Sequence, residues 1–398
     1  MKRVYIITVV TCLVILGVFL CLFSLMNING GRDHLTVGFI YDNDESAPYT
    51  YNFSLAKDAL VKKYGDRVTV MACSNAMDDD IAEPISELAE AGCDIMFFNG
   101  YSDLVVQLAP EYPDIQFCQT SYTDMSNKTV PDNYHTFKGE GYQGRYVAGI
   151  AAGMKIKEMI SEGIITEDQA VVGYLAAFPS SEVISGYTAF LMGVRSIVPT
   201  AVMQVKYTYT WSSYYLEKDY TLDLIENGCV IISQHTDTIG PAVACEEASQ
   251  NTPVYFVGYN QSMSDVAPTT SLVTFRLNWE PYVLAATDAV FRNKEIESNL
   301  SGHIHGHDVS AGFENGWVIV EDLNAHVAAP DTEKAMNNAI DMFMRGYNDF
   351  VYKGNLIGVN PKNSGDTYDL SAGYIENEFT SYPTFNYILT DIVTIVQD

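Results

Sequence analysis

The chain is short of cations. It holds 22 Lys and Arg against 50 Asp and Glu, a formal net charge of −28 over 398 residues. Nucleic acid is held by basic side chains that displace counterions from phosphates, so this balance argues against such a partner. It argues equally against a peripheral hold on anionic lipid. Cysteine is sparse as well, seven in all with no CxxC spacing, which leaves neither a disulfide framework nor a zinc-finger pattern. Cys12 and Cys21 fall in an N-terminal apolar stretch, and five remain, an odd number. Because Cys73 and Cys118 sit inside apolar runs, these five read as buried free thiols, which pack as small hydrophobes. GxSxG, HEXXH and the P-loop are all missing, and the acids are scattered rather than paired. With no catalytic set to pick out, the chain reads as a non-enzyme without a cofactor. No low-complexity segment or tandem repeat interrupts it. The length predicts two domains.

The clearest local signal is at the N-terminus. Lys2 and Arg3 precede an apolar stretch from Val4 to Met26, long enough to cross a bilayer as a helix with its basic end inside. A small-x-small cleavage site is lacking, and Cys21 follows Phe19 and Leu20 rather than a small residue, which favours an uncleaved anchor over a processed or lipidated start. Residues 1–34 are therefore expected to be membrane anchor and linker. Everything from Asn27 onward is expected at the extracytoplasmic face of the cell membrane.

Beyond the linker, short β-branched apolar runs alternate with amphipathic stretches of helical length. The runs VGFIYDN (37–43), VTVMACS (68–74), DIMFFNG (94–100) and DIQFCQTS (114–121) enclose helices at Tyr51–Tyr64, Ile81–Gly92 and Asp103–Tyr112. After a polar connector, Thr123–Tyr134, a second series begins with the Gly/Ala-rich GYQGRYVAGIAAGM (141–154) and continues through AVVGYLAAF (170–178), AVMQVKYTYT (201–210), CVIISQHT (229–236) and VYFVGYN (254–260). Continuous rather than alternating apolar strands imply sheets covered on both faces. The pattern predicts an α/β protein of two doubly wound lobes. SLVTFRLNW (271–279) and the helix after it read as a return to the first lobe. The lobes are then 35–136 plus 271–305, and 137–270 plus 306–398.

In open α/β sheets ligands bind outside the carboxyl ends of the strands. The residues standing just after the strands include Asp42, Asn99, Tyr101, Tyr122, Phe178, Trp211, His235, Asp237, Asn260 and Trp279. Rich in aromatics and uncharged hydrogen-bonders, they suit a flat, polar-edged, small molecule. His303, His305 and His307 alternate, so that on a strand they would share a face and offer imidazoles to a metal. They follow a polar stretch, however, and read as solvated; no metal is expected.

Several segments in this order resemble the basic-membrane-protein (BMP) family of ABC-transporter substrate-binding proteins, to which the purine-nucleoside receptors belong. They are EYPDIQFCQTS (111–121), LAAFPSSEVISGYTAFLMGVRS (175–196), YTYTWSSYY (207–215), IENGCVIISQHTD (225–237), FVGYNQSM (256–263), SLVTFRLNWEPY (271–282) and AGFENGWVIVEDL (311–323). The resemblance implies a type I periplasmic-binding-protein fold with three crossovers, a purine base or nucleoside between the lobes, and an ABC permease as membrane partner. It places Tyr51 and Asn52 at the aromatic–Asn pair facing the base, Trp211 and Phe178 as stacking aromatics, Asp237 in the closing loop, and Asn260 where many members have an acid for the sugar. Tyr101 and Trp279 join the expected site as strand-end aromatics. Asn260 in place of an acid and Leu277 in place of a base remove ribose contacts, so the resemblance points to a free base such as adenine. A membrane-anchored sensor built on the same clamp is the alternative, a metal-dependent enzyme the remote one. A monomer is expected.

Overall fold

In the computed structural model, residues 31–76 and 80–397 are described. The expected anchor, up to residue 30, lies outside them, and among the described residues no helix is long and apolar enough to cross a membrane.

Two seven-stranded, mainly parallel sheets form the molecule, with a small antiparallel pair, β14 (Ile357–Asn360) and β15 (Asn363–Asp369), toward the C-terminal end of the chain. In the first, the strand order is β11-β12-β5-β4-β3-β1-β2, built from β1 (Leu35–Ile40), β2 (Val68–Cys73), β3 (Ile95–Phe98), β4 (Gln116–Thr120), β5 (Tyr134–Gly139), β11 (His303–His305) and β12 (Asp308–Ala311). In the second, the order is β13-β10-β9-β8-β6-β7-β16, from β6 (Val171–Ala176), β7 (Val202–Tyr207), β8 (Ile231–His235), β9 (Tyr255–Tyr259), β10 (Ser271–Leu277), β13 (Val318–Glu321) and β16 (Val393–Ile395). The central strands β3 and β8 are buried along their whole length, as strands covered on both faces must be. The helices follow the expected apolar spacing. Those that matter for the site are α1 (Pro48–Tyr64), α4 (Gly141–Ser161), α5 (Ser181–Arg195), α6 (Tyr214–Glu226), α7 (Gly240–Ala248) and α8 (Glu280–Phe291), with α2 (Ala82–Glu90) and α3 (Asp103–Leu108) on the first lobe and α9 (Thr332–Met344) beside α4.

The lobes are joined at three crossovers, β5 to α4, β10 to α8, and β12 to β13. One expectation about them is corrected here. Ser271–Leu277 does not return to the first sheet: it pairs parallel with β9 and antiparallel with β13 in the second. The return is made one element later, by α8, whose Tyr282 stacks on Phe137 of β5 at 3.7 Å between centroids and whose Phe291 meets Tyr64 at 5.0 Å. A buried seven-residue strand carrying Leu272, Val273, Phe275 and Leu277 fits either sheet, so its composition carries no lobe label. For the same reason Asp308–Ala311, expected with the second lobe, pairs with β5 in the first.

Gly149 and Gly193 explain how α4 and α5 lie so close. A Cβ on Gly149 would stand 2.1 Å from the carbonyl oxygen of Phe190, and one on Gly193 2.1 Å from that of Tyr146, so only glycine permits the contact.

The chain beyond α9 also bridges the two lobes. Tyr352 and Glu376 both reach Ser185 Oγ of α5, at 2.6 and 2.7 Å. A few residues on, Thr380 Oγ1 and the Ser381 N–H donate to the buried carboxylate of Asp308 in the first sheet, at 2.9 and 2.7 Å. The segment ends by adding β16 to the edge of the second sheet beside β7. The five cysteines outside the N-terminal stretch are free, and burial raises the pKa of each thiol, which keeps them unreactive.

Candidate ligand-binding site

Between the carboxyl ends of the two sheets lies a cavity of about 570 Å³, within the usual span of small-molecule sites. The first lobe contributes Asp42 and Asn43 after β1, Tyr49 from the first turn of α1, Tyr101 after β3 and Tyr122 after β4. The second contributes Phe178 after β6, Tyr209 and Trp211 after β7, His235 and Asp237 at and after β8, and Tyr259 at the end of β9.

The aromatic rings stand on both walls. Tyr101 and Tyr122 lie 5.8 Å apart on one side. On the other, Phe178 and Trp211 meet edge-to-face at 5.6 Å, and His235 bridges Trp211 and Tyr259 at 6.2 and 5.1 Å. Tyr49 is fixed by its hydroxyl, which donates to the Asn99 carbonyl at 3.0 Å, and Tyr122 donates to the same carbonyl at 3.1 Å. The walls are therefore apolar faces whose polar tips are already engaged.

Helix α1 opens without a cap of its own. Its N-cap residue is Ala47, with no side-chain oxygen, and Pro48 follows. The first-turn N–H groups of a helix need partners, and that of Tyr49 finds one in the other lobe: it donates to Asp237 Oδ1 at 2.7 Å. The loop carrying Asp237 is in turn tied to the aromatic wall, its N–H donating to the Trp211 carbonyl at 2.8 Å. Asp42 accepts from Thr50 Oγ1 at 3.2 Å while its N–H donates to Asn99 Oδ1 at 2.9 Å.

Burial sets the charges. It pushes Asp237 up to about 7, reinforced by Asp42 and Glu217 and opposed by the Tyr49 N–H. Burial likewise raises Asp42, against its hydrogen bonds to Thr50 and Asn99. His235 is held well below its ordinary range by burial, with the cations of Arg145 and Lys138 adding to the effect, so it is a neutral imidazole. At the back of the cleft Lys138 of the first sheet meets Glu182 of α5 at 2.8 Å, both side chains largely buried, and its ammonium lies 4.4 Å from the centre of the Tyr122 ring. Among the described residues lining the main cavity, none is Lys or Arg.

Of the residues expected at the site, Tyr101, Phe178, Trp211 and Asp237 line this cavity. Four do not, and the structure corrects their placement. Tyr51 sits half-exposed on α1. Helical residues two apart point to nearly opposite sides, so it is Tyr49 that faces the cleft. Asn52 is buried and spends its amide on the backbone, donating to the Leu277 carbonyl at 2.6 Å and to Asn260 Oδ1 at 3.4 Å. Asn260 is the partner in that pair, in a left-handed conformation (φ 62°) that Asn tolerates. Trp279 is 2% exposed, packed on Phe53 at 5.3 Å and Phe137 at 5.7 Å in the first-lobe core. Tyr49, Glu182, Tyr209 and Tyr259 line the cavity without having been singled out. Tyr49 and Glu182 belong to first helical turns, and Tyr259 is still within its strand, so a search for residues just past strand ends passes over them.

Two hinged parallel-sheet lobes around an aromatic cleft define a solute-binding protein. Residues 35–339 match the family model described as ABC transporter substrate-binding protein, PnrA-like (Bmp), and the chain belongs to that family. It is 30% identical over 280 residues to a purine-binding protein of Brucella abortus, covering 68% of this chain and 74% of that one. It is also 25% identical over 273 residues, 66% of this chain and 62% of the other, to a Haloferax volcanii protein whose name ascribes to it glucose binding for an ABC transporter. The fold is that of a solute-binding protein of Aeropyrum pernix K1, with a TM-score of 0.63 at 14% identity over 78% of this chain and 92% of that one. These relatives are solute-binding proteins rather than enzymes. The chain is likewise a substrate-binding protein of an ABC transporter and not an enzyme.

Proposed function

We propose that the cleft takes a purine base, adenine before adenosine, on the extracytoplasmic side and delivers it to an ABC permease in the membrane that the chain's own N-terminal stretch is expected to span. The observation that carries this is the pairing of aromatic walls with carboxyls at one end. Tyr101 and Tyr122 face Phe178 and Trp211 across the cavity, while Asp42 and Asp237 supply acceptors. A planar heterocycle stacks on such walls, and its N–H edge donates to the carboxyls. Among the described lining residues no Lys or Arg stands ready to meet a phosphate, which argues against a nucleotide. The name of the Brucella relative speaks for purines. Asn260 and Leu277, standing where an acid and a base would serve a ribose, are both buried against other protein groups, and this supports the free base. The test is titration calorimetry with adenine, adenosine and glucose. Adenine binding tightest supports the reading. A preference for adenosine overturns the free-base choice, and binding of glucose alone overturns the purine one.

A further inference from the structure

The three alternating histidines of the β11–β12 hairpin do not converge on one another. His303 Nδ1 meets Glu140 Oε1 at 2.6 Å, on one side of the hairpin. His307, in the turn before β12, looks the other way, toward the first residues of β5. There His135 and His307 stand edge-to-face at 5.0 Å, and both aim Nδ1 at the same carboxylate oxygen, Glu297 Oε1, at 2.6 and 3.2 Å. The possible ligand atoms of the three residues all lie within 4.8 Å of one another.

We propose that His135, Glu297 and His307 bind a divalent transition-metal ion, Zn²⁺ by ligand type. Two imidazoles and one carboxylate form a ligand set that zinc takes in proteins, with a fourth position left to water. Tetrahedral bonds of about 2.0–2.1 Å put neighbouring ligand atoms roughly 3.3 Å apart, and the two contacts with Glu297, 2.6 and 3.2 Å, lie within an ångström of that. The far side of His135 is built for the role: its Nε2 lies 2.9 Å from Gln116 Oε1. In the tautomer whose Nε2–H donates there, the Nδ1 lone pair faces Glu297 and can take a metal ion. A ligating histidine commonly has its other nitrogen fixed by such a partner. The His135 side chain is 1% exposed, that of Glu297 13% and that of His307 28%, so the pocket is closed on the sheet side and open to solvent past His307.

The ion would join β5, the short 3₁₀ turn Glu297–Asn299 and the hairpin that forms the edge of the first sheet. It sits at the amino end of β5, whereas the solute cleft lies beyond the carboxyl ends of the strands. Its role is therefore to staple an edge hairpin, and it is independent of what the cleft binds.

The test uses the full chain, stripped with a chelator and titrated with zinc chloride. One equivalent should bind, with a rise in melting temperature. Glu297→Gln and His307→Ala should each weaken zinc by about tenfold or more, while His303→Ala and His305→Ala should leave it unchanged. Solute affinity should be the same in all four variants. His307 is partly exposed, so its variant remains informative if Glu297→Gln fails to fold. The proposal is overturned if no stoichiometric zinc binds, if His307→Ala binds it as tightly as the parent, or if His303→Ala or His305→Ala abolishes binding.

Discussion

Asp237 of the second lobe caps a helix of the first, its Oδ1 accepting the backbone N–H of Tyr49 at 2.7 Å. Tyr49 stands on the helix after β1 and Asp237 in the loop after β8, so the bond ties one lobe to the other. It is also required by the sequence of the helix, since Ala47 at the N-cap has nothing to offer. A cap of this kind contributes roughly 1 kcal/mol, and the positive end of the helix favours a carboxyl there. The clamp thus carries a latch of its own, which a ligand's donors at Asp237 would join or replace.

The burial of Asp237 between the lobes predicts a pH dependence. In the closed protein Asp237 is raised to about 7, against about 3.9 in an unfolded chain. A carboxyl raised on folding binds its proton more tightly in the native state. Its contribution to stability is therefore largest below about pH 4, declines as pH rises toward 7 and is constant above that. Asp237→Asn removes the term. In denaturant unfolding without ligand, the parent should lose more stability between pH 5 and pH 8 than Asp237→Asn does, by on the order of 1–2 kcal/mol. Equal losses would remove Asp237 as the cause.

Trp211 and Trp279 should separate cleanly. Trp211 is 40% exposed and lines the cavity, so Trp211→Ala should weaken adenine about tenfold or more with little change in unfolding midpoint. Trp279 is enclosed by Phe53, Phe137 and Tyr49, and Trp279→Ala should cost about 3–5 kcal/mol of stability. Calorimetry and urea unfolding on both variants check this. The account fails if the two effects are exchanged.

Asp308 tests the strap across the hinge. Its buried carboxylate accepts from Thr136 Oγ1 at 2.7 Å, Thr380 Oγ1 at 2.9 Å and the Ser381 N–H at 2.7 Å. Asp308→Ala leaves all three donors unpaired and should destabilise by about 2–4 kcal/mol in urea unfolding. It should also make the chain near Thr380 more open to limited proteolysis. An unchanged midpoint would show that the strap is not held there.

What the sequence made legible follows from where local rules hold. Strand and helix alternation is a local pattern, so both parallel sheets were readable from it. The rule that ligands sit past strand ends located Tyr101, Phe178, Trp211 and Asp237 at the cavity, because each stands in a loop that the sheet aims at the cleft. It misplaced Trp279, also at a strand end, because the chain there turns into α8 and folds the indole beneath the opposite lobe. Tyr51 and Tyr49 differ by two positions on one helix, and only the helix's rotation about its axis decides which ring faces inward. The lobe of Ser271–Leu277 was illegible for a similar reason, since pairing partners are chosen by tertiary register. The meeting of His135 with His307, 172 residues apart, has no local signature either.

The central claim is that a planar ring lies against the aromatic wall of the cleft, and Trp211 can report it directly. Of the chain's three tryptophans, Trp279 and Trp317 are 2% and 3% exposed, and only Trp211 lines the cavity. Titrating adenine while following tryptophan emission should give a saturable quench that is lost in Trp211→Phe. Emission unmoved by adenine, or quenched equally in Trp211→Phe, would contradict the account.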